Sequence, residues 1–290
     1  MRVSIGDVLL YFDVDGCGLM ASGASMRARP SLVLLHGGPG ADHTFFKPEF
    51  GALADVGQVV YLDQRGSGRS DRASAAEWTW DRWADDVAAF CAALGIGRPV
   101  LVGTSSGGLV AMQCAARHPA LVAGLVLDSS FGAPMTEQES LDVIGRRGGP
   151  AAREAASTYF GGDQGPAAAQ AWERLVLPLY ASGTRSDLAE RRARAMVSDD
   201  VQQHFRRGGC GPAEIGERAA AITCPVLILA GNDDPVVPVA ASRRLAALLT
   251  QAPVRLEILD GVGHGVVRQV PDRGLALVRE FVATLAPPPH

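Results

Sequence analysis

The sequence predicts an α/β protein, a mostly parallel, doubly wound sheet with a helical insertion, and three observations carry that expectation. Apolar runs of three to five residues alternate with longer stretches of helical periodicity. One of these runs passes through a Gly-x-Ser-x-Gly turn straight into a helical pattern. A long segment, residues 133–220, is rich in Ala, Arg, Glu and Gly and carries helical patterns without a convincing strand. Strands covered on both faces read as continuous apolar runs rather than as alternation, which is the pattern seen here.

In chain order, residues 8–14 read as a strand turning at Asp15-Gly16, and residues 22–29, small and polar, read as a loop. Residues 32–35 form a buried strand that ends in a glycine turn, and residues 59–62 form another. Trp83, Val87, Phe90 and Leu94 recur at helical spacing and predict a helix over 80–94. A strand at 100–102, a helix at 107–117 and a strand at 125–127 follow. Within the insertion, residues 167–177 and 188–196 are helical in pattern. A strand at 226–229, a helix at 240–249, a strand at 254–259 and a helix at 274–285 complete the chain. The expected division is a core of residues 1–132 and 221–286, a helical cap of 133–220 over the sheet's carboxyl edge, and a disordered tail of 287–290.

Composition narrows the function classes. The chain has 290 residues, 47% hydrophobic and 20% charged, enough for a full α/β core and too apolar for disorder. Lys plus Arg number 27 against 31 Asp plus Glu, a net charge of −4 that leaves no basic surplus for phosphates, so nucleic acid is not the expected partner. The five cysteines, Cys17, Cys91, Cys114, Cys210 and Cys224, form no Cys-x-x-Cys pair and no cluster with histidine. They read as reduced thiols of a cytoplasmic protein. The first residues lack the charged start and apolar run of a signal peptide, and no window approaches 18 uninterrupted apolar residues, so no membrane segment is expected.

The chemistry begins at Gly103-Thr104-Ser105-Ser106-Gly107. A sharp strand-to-helix turn brings backbones together at its two glycines, lifts Ser105 clear of the sheet and sets a helix N-terminus beside it. A Gly-Ser turn that merely caps a helix with Ser106 explains the helix but not the paired glycines. A serine at its free pKa needs a base oriented by an acid. His264, in Gly261-Val262-Gly263-His264-Gly265 after the strand at 254–259, is the candidate base. For the acid, Asp234 in Gly231-Asn232-Asp233-Asp234-Pro235 is preferred on chain order, with Asp233 beside it and Asp128 at an earlier strand end left open. Leu35-His36-Gly37-Gly38-Pro39-Gly40 follows a buried strand and brings backbone amides to the same edge. The N–H groups of Gly38 and Ser106 are the candidate oxyanion donors, with His36 as a buttress of that loop. No phosphate loop, dinucleotide fingerprint, flavin-type pattern or His-Glu-x-x-His appears, so neither a metal nor an organic cofactor is expected.

With these residues in place, the chain resembles the α/β-hydrolase fold family over nearly its whole length. More narrowly, His36-Gly37-Gly38-Pro39-Gly40 and Asp63-Gln64-Arg65-Gly66-Ser67-Gly68-Arg69-Ser70 resemble two signatures of its proline iminopeptidase branch, serine aminopeptidases with a helical cap. The resemblance implies Ser105 as nucleophile, His264 as base, Asp234 as acid, Gly38 and Ser106 as oxyanion donors, and structural roles for Asp63 and Arg65. Gly37, Trp172 and Glu173 would line the substrate site. The departures concern substrate. That branch usually carries Trp after the nucleophile, where this chain has Ser106, and holds its substrate's ammonium with glutamates. One such glutamate position, after the catalytic Asp, is Pro235 here. The stretch around Trp172-Glu173 faintly resembles the branch's cap, and Gln202-Gln203-His204-Phe205 stands where a second glutamate is expected. Glu173 on its own reads first as an exposed charge on an amphipathic helix.

The expected activity is therefore serine-dependent hydrolysis of a small amide or ester, with a small molecule or short peptide as substrate. An ester, thioester or lactone hydrolase, or an acyl-transfer enzyme of small-molecule metabolism, is the first alternative. A hydrolase-like protein that binds a ligand without turnover is the alternative of another class. The oligomeric state is not encoded in any pattern found.

Overall fold

The computed structural model describes residues 1–133, 135–182, 188–208, 216 and 218–285. Ten strands are present among them: β1 Arg2–Ser4, β2 Leu9–Asp15, β3 Leu19–Ser22, β4 Ser25–Ala28, β5 Ser31–Leu35, β6 Gln58–Leu62, β7 Val100–Thr104, β8 Gly124–Asp128, β9 Val226–Gly231 and β10 Val254–Leu259. Eight form one sheet in the order β1-β2-β6-β5-β7-β8-β9-β10. From β6 to β10 every pairing is parallel, while β1 and β2 join antiparallel at one edge. The central strands are buried along their entire length, which is why they read as unbroken apolar runs.

Each face of the sheet has its own core. Trp83, Val87, Phe90 and Cys91 of the helix Trp80–Leu94 pack on one face with the helix Ser106–Arg117 and with Leu245 of the helix Val239–Leu248. The helix Pro271–Thr284 covers the other with Leu277, Val278 and Phe281, against Phe46 and Phe50. Thr79 caps the Trp80–Leu94 helix through its hydroxyl, and Gly95 ends it in the left-handed conformation at φ 65°.

Between β8 and β9 the described residues are helical: Glu137–Phe160, Pro166–Leu175, Leu188–Arg194 and Asp199–Arg206. The first two enclose a small apolar cluster of their own around Ile144, Ala156 and Val176. Two elements differ from the sequence reading. Residues 22–29, expected as a loop, contain β4, which pairs with β3 in an exposed hairpin turning at Gly23. Every residue of β3 is exposed, so the hairpin leaves no apolar alternation to detect. The short edge strand β1 was likewise absent from the apolar pattern. Residues 287–290, expected to be disordered, lie outside the described residues. No helix of the described residues is long and apolar enough to cross a membrane.

Candidate active site

The parallel strands end at one edge of the sheet, and five loops leaving that edge build the site. The loop after β5 is Leu35-His36-Gly37-Gly38, and β7 runs into Ser105. Ser105 adopts φ 53° and ψ −124°, a conformation that costs a non-glycine residue roughly 1–3 kcal/mol. The turn is sustained from both sides: Ser105 N–H donates to the Asp128 carbonyl at 3.0 Å, and the Ser130 hydroxyl donates to the Ser105 carbonyl at 2.7 Å. Close approach explains the glycines. A Cβ on Gly107 would collide with the Leu35 carbonyl, and one on Gly37 would come to 2.8 Å from the Ser105 Cβ. The loop after β5 thus lies directly against the serine.

At the other side of the site, His264 Nδ1 lies 2.8 Å from Asp234 Oδ2. The second oxygen of Asp234 accepts the backbone N–H groups of Val236 and Val237 at 2.8 and 2.9 Å, so the buried carboxylate is fixed in rotation. Of the three aspartates left open by the sequence, only Asp234 makes a hydrogen bond to His264. Asp233 pairs instead with Arg146 at 3.0 Å on the surface. Asp128 is wholly buried and accepts the Val266 N–H at 2.7 Å and, more distantly, the Thr104 hydroxyl at 3.4 Å. Burial raises its pKa. Asp128 therefore anchors the segment that follows His264 rather than the imidazole itself.

The Asp63-Gln64-Arg65-Gly66 stretch forms the scaffold behind the loop after β5. Gln64 N–H donates to His36 Nε2 at 3.1 Å, and its side chain donates to the His36 carbonyl at 2.9 Å. Burial lowers the His36 pKa, so the ring stays neutral and accepts that bond. Arg65, fully buried, makes paired hydrogen bonds to both Asp86 and Asp7. Asp63 accepts from the backbone and ring of His43 and from Arg69 N–H. Asp42, His43 and Asp63 have the spacing of metal ligands among the described residues. Their oxygens, however, are engaged by Thr44, His43 and Arg69. Among the described residues the other histidines are also engaged: His118 bonds Asp85 and His204 bonds the Trp78 carbonyl.

A cavity of about 760 Å³ opens over this edge, lined by Gly37, Gly38, Ser105 and His264 from the loops and by Trp172, Glu173 and Tyr180 from the helical segment. Trp172 stacks on Tyr159 at 4.4 Å between ring centroids. Glu173, next to it, is exposed and makes no ion pair among the described residues. Gln202 also lines the cavity. Ser106 is the first residue of its helix, where N–H groups have no intrahelical acceptor.

Two features lay beyond the sequence reading. Tyr180 meets the His264 ring edge-on at 6.1 Å, and its carbonyl accepts the His264 N–H at 2.8 Å. Arg147 bridges the helical segment to the turn that carries Asp234, donating to the carbonyls of Leu179, Ala181 and Asp233. Both sit in strand-free sequence without periodicity, and their partners are remote in the chain.

A family model described as alpha/beta hydrolase fold matches residues 30–267. A putative carbamate hydrolase of Variovorax paradoxus, RutD, is 32% identical over 252 residues, covering 80% of this chain and 84% of that protein. A 2-hydroxymuconate semialdehyde hydrolase of Pseudomonas is 28% identical over 268 residues, covering 87% and 86%. The crystal structure of a proline iminopeptidase from Mycobacterium smegmatis superposes with a TM-score of 0.73 at 24% identity, covering 98% of this chain and 97% of that one.

Proposed function

The chain belongs to the alpha/beta hydrolase fold family, and from that premise we propose that it hydrolyses a small acyl substrate through Ser105, His264 and Asp234. The observation that carries the reading is the buried His264–Asp234 hydrogen bond facing a cavity that Ser105, in its strained turn, also lines. With Nδ1–H donated to Asp234, the imidazole has Nε2 left to accept a proton. Ser105 Oγ attacks the substrate carbonyl while His264 Nε2 takes its proton, and Asp234 stabilises the imidazolium. The developing oxyanion is met by the N–H groups of Gly38 and Ser106. His264 then protonates the leaving group, and water repeats the sequence on the acyl-enzyme. Residues 133–220 act as the cap and 1–132 with 221–286 as the core.

For the bond cleaved, the similarity to RutD, a putative carbamate hydrolase, and to a proline iminopeptidase supports small acyl substrates of either ester or amide type. Trp172 and Glu173 at the cavity support an amine-bearing substrate. An ammonium there needs compensation worth roughly several kcal/mol from carboxylates, and the cavity offers Glu173 and Asp199. The experiment is parallel hydrolysis of a proline arylamide and a short-chain aryl ester, with the Ser105→Ala protein as blank. Serine-dependent turnover of either is expected, and arylamide turnover assigns the aminopeptidase reading. Equal rates with Ser105→Ala, or silence on both substrates, overturn the proposal.

A further inference from the structure

The charged side chains of the cavity are unevenly balanced. Four arginines, Arg191, Arg192, Arg206 and Arg268, line it against two acids, Glu173 and Asp199. Arg191 is spent on structure: it is buried and bonds both oxygens of Glu49, at 2.9 and 2.5 Å. Arg268 is half-buried, donates to the His264 carbonyl at 3.3 Å and has the Asp128 carboxylate as its main opposing charge. Arg192 and Arg206 are different. They stand exposed on the helices Leu188–Arg194 and Asp199–Arg206, and neither makes an ion pair among the described residues.

Both line the same cavity as Ser105, Tyr180 and His264. Tyr180, edge-on to His264, has its pKa pushed up to about 12 by burial and by the Asp234 charge, and Arg206 and Arg192 oppose that rise. Asp199 does not neutralise Arg206, because seven residues of helix separate them by about 10 Å along the axis. Glu173 projects from a third helix, Pro166–Leu175.

We propose that the substrate is an acyl compound carrying a carboxylate remote from the scissile bond, held by Arg192 and Arg206 beside Tyr180. The proposal rests on the hydrolase reading for its orientation: Ser105 meets the carbonyl, and the carboxylate extends under the helical segment toward the two guanidiniums. Planar guanidinium groups suit a carboxylate because each presents parallel N–H donors. An ammonium in the same position would face two like charges.

The test compares two esters with one leaving group and one chain length, mono(4-nitrophenyl) glutarate and 4-nitrophenyl pentanoate. Wild-type protein should turn over the glutarate with a KM at least tenfold lower, and added salt should raise that KM alone. The Arg192→Gln/Arg206→Gln protein should lose about tenfold in KM for the glutarate, the scale of two partly exposed charge contacts, with pentanoate kinetics within twofold. Equal KM values for the two esters, or equal losses in the double variant, overturn the proposal. Calorimetric titration of glutarate into Ser105→Ala protein reads the same site without turnover: binding is expected there and lost when both arginines are replaced. If neither ester is hydrolysed but glutarate binds through the arginines, the hydrolase reading fails and the anion site stands. If the esters turn over and glutarate does not bind, the anion site fails alone.

Discussion

Replacing Asp234 by Asn isolates the role of one hydrogen bond. The substitution keeps volume and shape, and the structure dictates how the amide must sit. Asp234 Oδ1 accepts two backbone N–H groups, from Val236 and Val237, at 2.8 and 2.9 Å. Asn must keep its carbonyl oxygen there, because turning the amide would set its N–H2 against two donors at a buried position. The N–H2 group then faces His264 Nδ1, now 2.8 Å from the carboxylate. The imidazole responds by placing its proton on Nε2, where it points toward Ser105 and cannot receive the serine's proton. The same tautomer error in the serine-protease triad costs about 10⁴ in kcat, or roughly 5.4 kcal/mol of transition-state stabilisation. The expected result for Asp234→Asn is therefore a fall in kcat of about 10⁴ on an aryl ester. KM should change little, and the urea midpoint should move only slightly, since both backbone bonds survive. Stopped-flow release of 4-nitrophenol and urea unfolding measure the two quantities. A kcat within tenfold of wild type refutes the reasoning. So does an equal fall in Asp128→Asn with its fold intact, because Asp128 bonds Val266 N–H and not the imidazole.

Other perturbations test the supports of the site. Gly107→Ala should destabilise by about 3 kcal/mol, because the new Cβ, on the first turn of the Ser106–Arg117 helix, meets the Leu35 carbonyl at the end of β5; a wild-type melting temperature would contradict this. Arg147→Met should lower kcat by up to about 100-fold through displacement of the Tyr180 and Asp233 segments, and unchanged kcat with normal folding would confine Arg147 to packing. The buried His36 stays neutral in the fold while the unfolded chain takes up a proton below about pH 6.5, so more protons bind to the unfolded state and stability falls as pH drops. His36→Gln should flatten that slope in urea midpoints between pH 7.5 and 5.5, and parallel slopes would assign the loss to other groups.

How legible these features were follows from where their signals originate. Burial within an element leaves a mark in that element's own sequence. The central strands β5 to β9 are apolar throughout because both faces are covered, and the helix Trp80–Leu94 shows its packed stripe as a spacing. The serine turn was equally legible, because Gly103 and Gly107 answer to close approaches that any such strand-to-helix turn imposes. The hairpin β3–β4 was not, since its exposed side chains report no neighbour.

The sequence by itself therefore determined the α/β class, the helical insertion and the positions of Ser105, His264 and the candidate aspartates at strand ends. Only the tertiary structure decided which aspartate reaches the imidazole. Asp128, Asp233 and Asp234 all follow strands at the same sheet edge, and they differ in the direction of a carboxylate, which residues far away in the chain establish. It also decided that Asp63, Gln64 and Arg65 brace His43, His36 and Asp86. The charge balance of the cavity has the same origin. Arg191 and Arg192 are neighbours in sequence, yet one is buried against Glu49 and the other exposed at the cavity, because successive residues of a helix point about 100° apart and only packing settles which side faces inward.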